Sequence, residues 1–105
     1  MKPEFGIYEQ GFGAELKCPA CGFNYLHHEK IEIFERTEDS ETGLHVTVNE
    51  GEVKTDTNLS SNPSPRRHGL LVHFSCEGCS AISTLSLIQH KGNTYMEFSF
   101  EEQKT

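Results

Sequence analysis

Apolar residues in this chain recur mostly at every second position, in short segments. Leu44, Val46 and Val48 alternate with His45, Thr47 and Asn49, which predicts a strand with one face toward a core. Ile31 and Ile33 alternate with Glu32 and Phe34, so Lys30 to Arg36 reads as another strand, entered from Phe23 to His28. Leu70, Val72 and Phe74 line one face of a third, with Leu71 and His73 opposite. Ala81 to Phe100 reads as a hairpin, with strands Ile82 to Gln89 and Thr94 to Phe100 around a turn at His90 to Asn93. Met96, Phe98 and Phe100 give its second strand an aromatic-rich face. No segment keeps an amphipathic helical period for three turns, so the predicted class is all-β.

The remaining segments are set by punctuation and polarity. Residues 1–14 place Pro3, Gly6, Gly11 and Gly13 among Phe5, Ile7, Tyr8 and Phe12 without a period, and read as an irregular N-terminal arm whose aromatics pack on the domain. Thr37 to Gly43 is a polar, acidic turn. Residues 52–65 hold only Val53 and Leu59 as aliphatics and end in Asn62-Pro-Ser-Pro65, so 54–65 reads as a flexible insertion, a mobile central loop lacking the apolar burial that offsets ordering entropy. Residues 101–105 form a polar tail. With 105 residues, 34% hydrophobic, the chain fits a single domain over 1–105 with a modest core. No apolar run is long enough to span a bilayer, and no apolar leader follows Met1, so a cytoplasmic protein with no membrane association is expected.

A modest core directs attention to the four cysteines. Cys18-Pro-Ala-Cys21 and Cys76-Glu-Gly-Cys79 are two Cys-x-x-Cys pairs, one toward each end of the foldable chain. Each pair can turn two thiolates toward one ion, and together they complete a four-sulfur shell for one structural zinc. Gly22 and Gly78 allow the tight turns that bring amides toward the sulfurs. Two disulfides or four unlinked thiols are the alternatives, the former disfavoured in a reducing compartment. His27-His28 follows the first pair closely, so a three-cysteine, one-histidine site or a second metal is the other arrangement to weigh. Four thiolates leave no open coordination position, so the metal is expected to stabilise the fold rather than activate water.

The two Cys turns, Cys18-Pro-Ala-Cys21-Gly22 and Cys76-Glu-Gly-Cys79, resemble the knuckles of the zinc-ribbon superfamily, and the whole chain resembles the small single-domain zinc-ribbon proteins of bacteria and their phages. That resemblance implies a small antiparallel sheet clamped by one zinc. The pairs here stand further apart in sequence than the smallest ribbons require.

Charge bears on function. The formal net charge is -7, and a four-thiolate zinc site adds two further negative charges. Such a field opposes nonspecific binding to nucleic acid. Arg66-Arg67-His68, behind Pro63 and Pro65, is the one concentrated basic feature. It reads as an anion or partner contact or as internal pairing with the acidic stretch Glu29, Glu32, Glu35, Glu38, Asp39 and Glu41. That stretch is otherwise a solvated face or a surface for a basic protein. With no recognisable triad or phosphate loop, the expected function is a non-catalytic module that binds a protein partner. The alternative is a nucleic-acid-binding ribbon using Arg66, Arg67 and Lys91.

Overall fold

The computed structural model describes residues 2–102, and they form eight strands and no helix. The strands are β1 (Phe5–Glu9), β2 (Gly13–Leu16), β3 (Leu26–Glu35), β4 (Leu44–Asn49), β5 (Glu52–Asp56), β6 (Gly69–Cys76), β7 (Ala81–His90) and β8 (Asn93–Glu102). β1 and β2 pair with each other, and the other six make one antiparallel sheet in the order β5-β4-β3-β6-β7-β8. Strands β3, β4 and β5 follow one another by hairpins. β6 then returns to lie beside β3, which is a Greek-key connection.

Two of the turns are dictated by backbone chemistry. Glu50 and Gly51 both have positive φ between the paired Asn49 and Glu52, and Lys91 and Gly92 do the same between His90 and Asn93. This is the two-residue geometry whose twist matches that of the flanking strands. The first of these turns forms β5, which corrects the expectation that 54–65 is a flexible insertion. Residues 54–56 are strand, held by pairing with β4 although Val53 is the only aliphatic side chain in β5. Its charged side chains blunt the exposed sheet edge.

Residues 57–65 form no strand, and hydrogen bonds tie them to their neighbours at points where apolar burial does not. Asn58 N–H donates to Asp56 Oδ1 (2.8 Å), Ser64 N–H to Asn62 Oδ1 (3.0 Å), and Asn62 Nδ2 to the Arg67 carbonyl (2.9 Å). Ser64 is buried, and its hydroxyl donates to the Gln89 carbonyl (2.6 Å) while accepting from Arg67 N–H (2.9 Å). Gly69, at the start of β6, lies directly beneath: a Cβ there would meet Asn62 Oδ1 and sit 2.6 Å from Pro63 Cδ.

The N-terminal segment is likewise not the irregular arm expected. β1 and β2 form a hairpin whose register slips between Phe5 and Tyr8, and Gly11 and Gly13 take positive φ at its turn. The slip scrambles the alternation, which is why no period is visible in the sequence. Phe5, Ile7, Tyr8 and Phe12 are exposed rather than packed on the domain, Phe12 to 90%. Of the expected tail, 101–102 belong to β8, and 103–105 lie outside the described residues, as does Met1.

Register gives the six-stranded sheet two unlike faces. One carries the row Val53, Val48, Ile31, Val72, Leu85 and Phe98 and, one step along, Val46, Ile33, Leu70, Leu87 and Met96. The other carries Lys30, Glu32, His45, Thr47, His73 and Thr84 around Phe34 and Leu71. Phe34 is buried there, its ring stacked on His45 at 4.5 Å.

Candidate metal centre

Two turns build the centre. The first follows β2, where Cys18 N–H donates to the Phe23 carbonyl (2.8 Å) and Gly22 N–H to the Cys18 carbonyl (2.9 Å), with Gly22 at φ 79°. That curl brings Cys18 and Cys21 to the same side. The second turn joins β6 to β7, and there Gly78 N–H points at Cys76 Sγ (3.3 Å). The two turns interlock, because a Cβ on Gly78 would strike the Phe23 ring and only glycine leaves room. Pairing of Leu26 with Cys76 and the bond from Glu77 N–H to the Tyr25 carbonyl (3.1 Å) fix the turns against each other across the sheet.

All four sulfurs lie within 4.8 Å of one another. Cys18 Sγ is 3.8 Å from Cys79 Sγ, and Cys21 Sγ is 3.6 Å from Cys76 Sγ. A disulfide requires about 2.05 Å, and the four cysteines are free. A tetrahedral ion with metal–sulfur bonds of about 2.3 Å has sulfur–sulfur edges of about 3.8 Å, so the separations suit a single central metal. Among the described residues no histidine joins this group. His27 instead meets Glu77 (2.6 Å) beside the second turn.

Without a cation, the cluster disfavours full ionisation. Burial opposes a thiolate at Cys18, but the amides of Cys21 and Ala20 outweigh it and hold that thiol below its ordinary value. At Cys79 the Ala81 amide favours the thiolate, yet burial and the neighbouring thiols prevail and push it up to about 12. Burial likewise raises Cys76. A divalent ion supplies the positive charge that lets all four deprotonate together. All four donors are then spent on the ion.

Arg66 and His68 of the basic feature find partners within the chain while staying partly exposed. Arg66 forks onto Asp39 through Nε–Oδ1 (2.8 Å) and Nη2–Oδ2 (2.6 Å), with Glu38 at 3.7 Å. His68 Nδ1 accepts from Arg36 N–H (2.9 Å), and Arg67 is half-buried. Lys91 stands at the β7–β8 turn, close in sequence to Gln89, whose N–H donates to the His68 carbonyl (3.2 Å).

One group escaped the sequence reading. Glu32 is only 8% exposed, and its carboxylate lies between His73 Nε2 (2.7 Å) and His45 Nε2 (3.0 Å). His45 Nδ1 reaches Asp56 (2.9 Å), and His73 Nδ1 reaches Thr84 Oγ1 (3.0 Å), so one polar ladder crosses five strands. The acidic stretch is therefore not uniformly a solvated face. Strand alternation, which sends Glu32, His45 and His73 away from their apolar neighbours, was the available signal.

Among the described residues no helix is long and apolar enough to cross a membrane. Comparison of the chain with protein-family models, curated proteins and solved structures finds no match in any of the three, so the reading of the centre rests on its own geometry.

Proposed function

We propose that this chain is a small zinc-stabilised β module of zinc-ribbon type that binds a protein partner beside its metal centre and has no catalytic activity of its own. Zinc is the ion of choice for one tetrahedral four-thiolate site, since it has no redox chemistry and accepts a closed shell. Cys18, Cys21, Cys76 and Cys79 would hold it, and its contribution is to tie β2 to the β6–β7 turn.

The observation that carries the partner reading is the apolar display on the adjoining hairpin. Phe5, Ile7, Tyr8 and Phe12 are exposed on a two-stranded element held to the first cysteine turn by Lys17 N–H to the Glu4 carbonyl (2.9 Å) and Asn24 Nδ2 to Glu15 (3.2 Å). A cluster of large apolar side chains on an anchored element is the usual mark of a protein contact. The nucleic-acid alternative is weakened by Arg66, whose guanidinium is already spent on Asp39.

Affinity purification after nuclease treatment tests this reading. The parent chain should retain a defined protein partner, and joint replacement of Tyr8 and Phe12 by Ser should lose it while metal content stays unchanged. Retention of nucleic acid at physiological salt, abolished by replacing Arg66 and Lys91, would reverse the order of the two readings.

A further inference from the structure

Among the described residues, Arg67 Nε, His90 Nδ1 and Ser83 Oγ are buried side-chain atoms without a hydrogen-bond partner. A native fold leaves few such groups, and each calls for an explanation. Two of them belong to basic side chains that the fold brings to one end of the sheet. Ser64 Oγ accepts from Arg67 N–H (2.9 Å) and donates to the carbonyl of Gln89 (2.6 Å), next to His90, while Gln89 N–H donates to the His68 carbonyl (3.2 Å). His90 lies on the same face of β7 as Ile88, which pairs with Gly69, and on that face Asn62 and Pro63 cover Gly69. Lys91, the next residue, is exposed on the β7–β8 turn.

The charge around this end of the sheet is unlike that of the rest of the chain. Of 16 acidic residues only Glu77 falls between Thr57 and Met96, and it sits in the second cysteine turn at the far end of β7, roughly 30 Å away. The carboxylates that reach this end from β3 and the turn after it are already engaged. Glu38 and Asp39 lie on Arg66, and Glu35 lies 3.8 Å from His68. Among the described residues, Arg67, His90 and Lys91 form no ion pair.

We propose that Arg67, His90 and Lys91 form a binding site for one phosphate group, free or carried on a small monoester. The Arg67 Nε–H is an obligate donor, and the His90 tautomer with its proton on Nδ1 supplies a second. A tetrahedral oxyanion offers several acceptors and takes both, while Lys91 adds a point charge. The two orphaned nitrogens are shut from water, so the half-buried Arg67 and His90 side chains turn outward to meet the ligand. Unsatisfied donors gain by that motion, whereas fully bonded ones would lose by it. A polynucleotide fits less well, since it needs a run of phosphate contacts and beyond this end of the sheet it meets a chain of net charge -7. The site lies at the end of β7 remote from the metal centre, and the proposal does not depend on the partner reading of the hairpin.

Titration of the metal-loaded full chain with inorganic phosphate at constant ionic strength and neutral pH, followed by heteronuclear NMR at the Arg67 Nε–H and the His90 side chain, tests the proposal. The shifts at both should saturate. Glycerol phosphate serves as the monoester probe; saturation by either ligand supports the site, and the tighter of the two identifies the source. Arg67→Ala and His90→Ala should each weaken binding about tenfold or more, the loss of one hydrogen bond to a charged group. Arg67→Lys, which keeps the charge without the Nε–H, should also weaken it, and Lys54→Ala on β5 should leave it unchanged. Far-UV circular dichroism and metal content identify a variant that fails to fold, and the other alanine variant then carries the test. Absence of a saturable shift, a shift that chloride alone reproduces, or phosphate binding that survives substitution in a folded chain overturns the proposal. So does displacement of phosphate by an oligonucleotide at physiological salt, which assigns the site to nucleic acid.

Discussion

Replacing Glu32 by Gln keeps the size of the side chain and removes the charge at the middle of the polar ladder. The carboxylate serves two imidazoles at 2.7 and 3.0 Å in a nearly solvent-free position. Hydrogen bonds to charged groups contribute about 1.5–3 kcal/mol each, and the glutamine oxygen can still serve one histidine, so the net loss should be about 2 kcal/mol. In a domain of this size that corresponds to a drop in Tm of about 10 °C. Thermal unfolding of parent and variant, both saturated with metal and followed by circular dichroism, measures it. The pH dependence is a second check. Burial raises the Glu32 carboxyl, but the His73 hydrogen bond, the Lys30 charge and the His45 hydrogen bond outweigh burial and hold it below the usual carboxylate range. A depressed carboxyl stabilises the fold fully above its unfolded value of about 4.3 and loses that contribution as pH falls through the lower folded value. The gap between parent and variant should therefore be steady from neutral pH down toward 5 and narrow below it. Metal release in acid affects both chains and drops out of the difference. A variant as stable as the parent at pH 7, or a gap that widens on acidification, would refute the reasoning.

Gly69→Ala should destabilise the fold by about 1–3 kcal/mol, because the new methyl overlaps Asn62 and Pro63; chemical denaturation reads this, and an unchanged midpoint would mean the connection is not seated on β6. Native-state amide exchange should find Ser64 and Arg67 protected, since their N–H groups donate to Asn62 Oδ1 and Ser64 Oγ, whereas exchange at the rate of an open chain would restore the flexible loop. The Asp39 carboxyl, held below its ordinary value by the Arg66 hydrogen bond and charge, should titrate low by NMR and return toward the usual range in Arg66→Ala; its small stabilising effect is present above the unfolded value and lost as pH falls through the folded one.

Strands with strict alternation were legible from residue order alone. β4 has the bounds that Leu44 to Asn49 suggest, and the β7–β8 hairpin turns where His90 to Asn93 places it, because one face of each strand is apolar and the other polar. Segments built by other means were not legible. β5 has one aliphatic side chain and exists through its turn and its backbone pairing. β1 and β2 hide their register in a bulge, and the 57–68 connection is ordered by Asn and Ser side chains that look, in composition, like a solvated loop. The cysteine cluster was legible because chemistry sets its ligands at short spacing, wherever the strands between them run. The Glu32 ladder required knowing that β4 and β6 flank β3, which is long-range information no local pattern carries.

Metal analysis of the parent and of Cys76→Ser tests the central claim most directly. Protein purified without added metal should carry one zinc per chain by elemental analysis, and replacement with cobalt should produce the visible spectrum of a tetrahedral four-sulfur site. Cys76→Ser should lose the metal and the cooperative unfolding transition together, because binding and folding are one equilibrium in such a site. A parent that carries no metal under gentle purification with its sulfurs in disulfides, or a Cys76→Ser chain that folds as stably as the parent, would contradict the account.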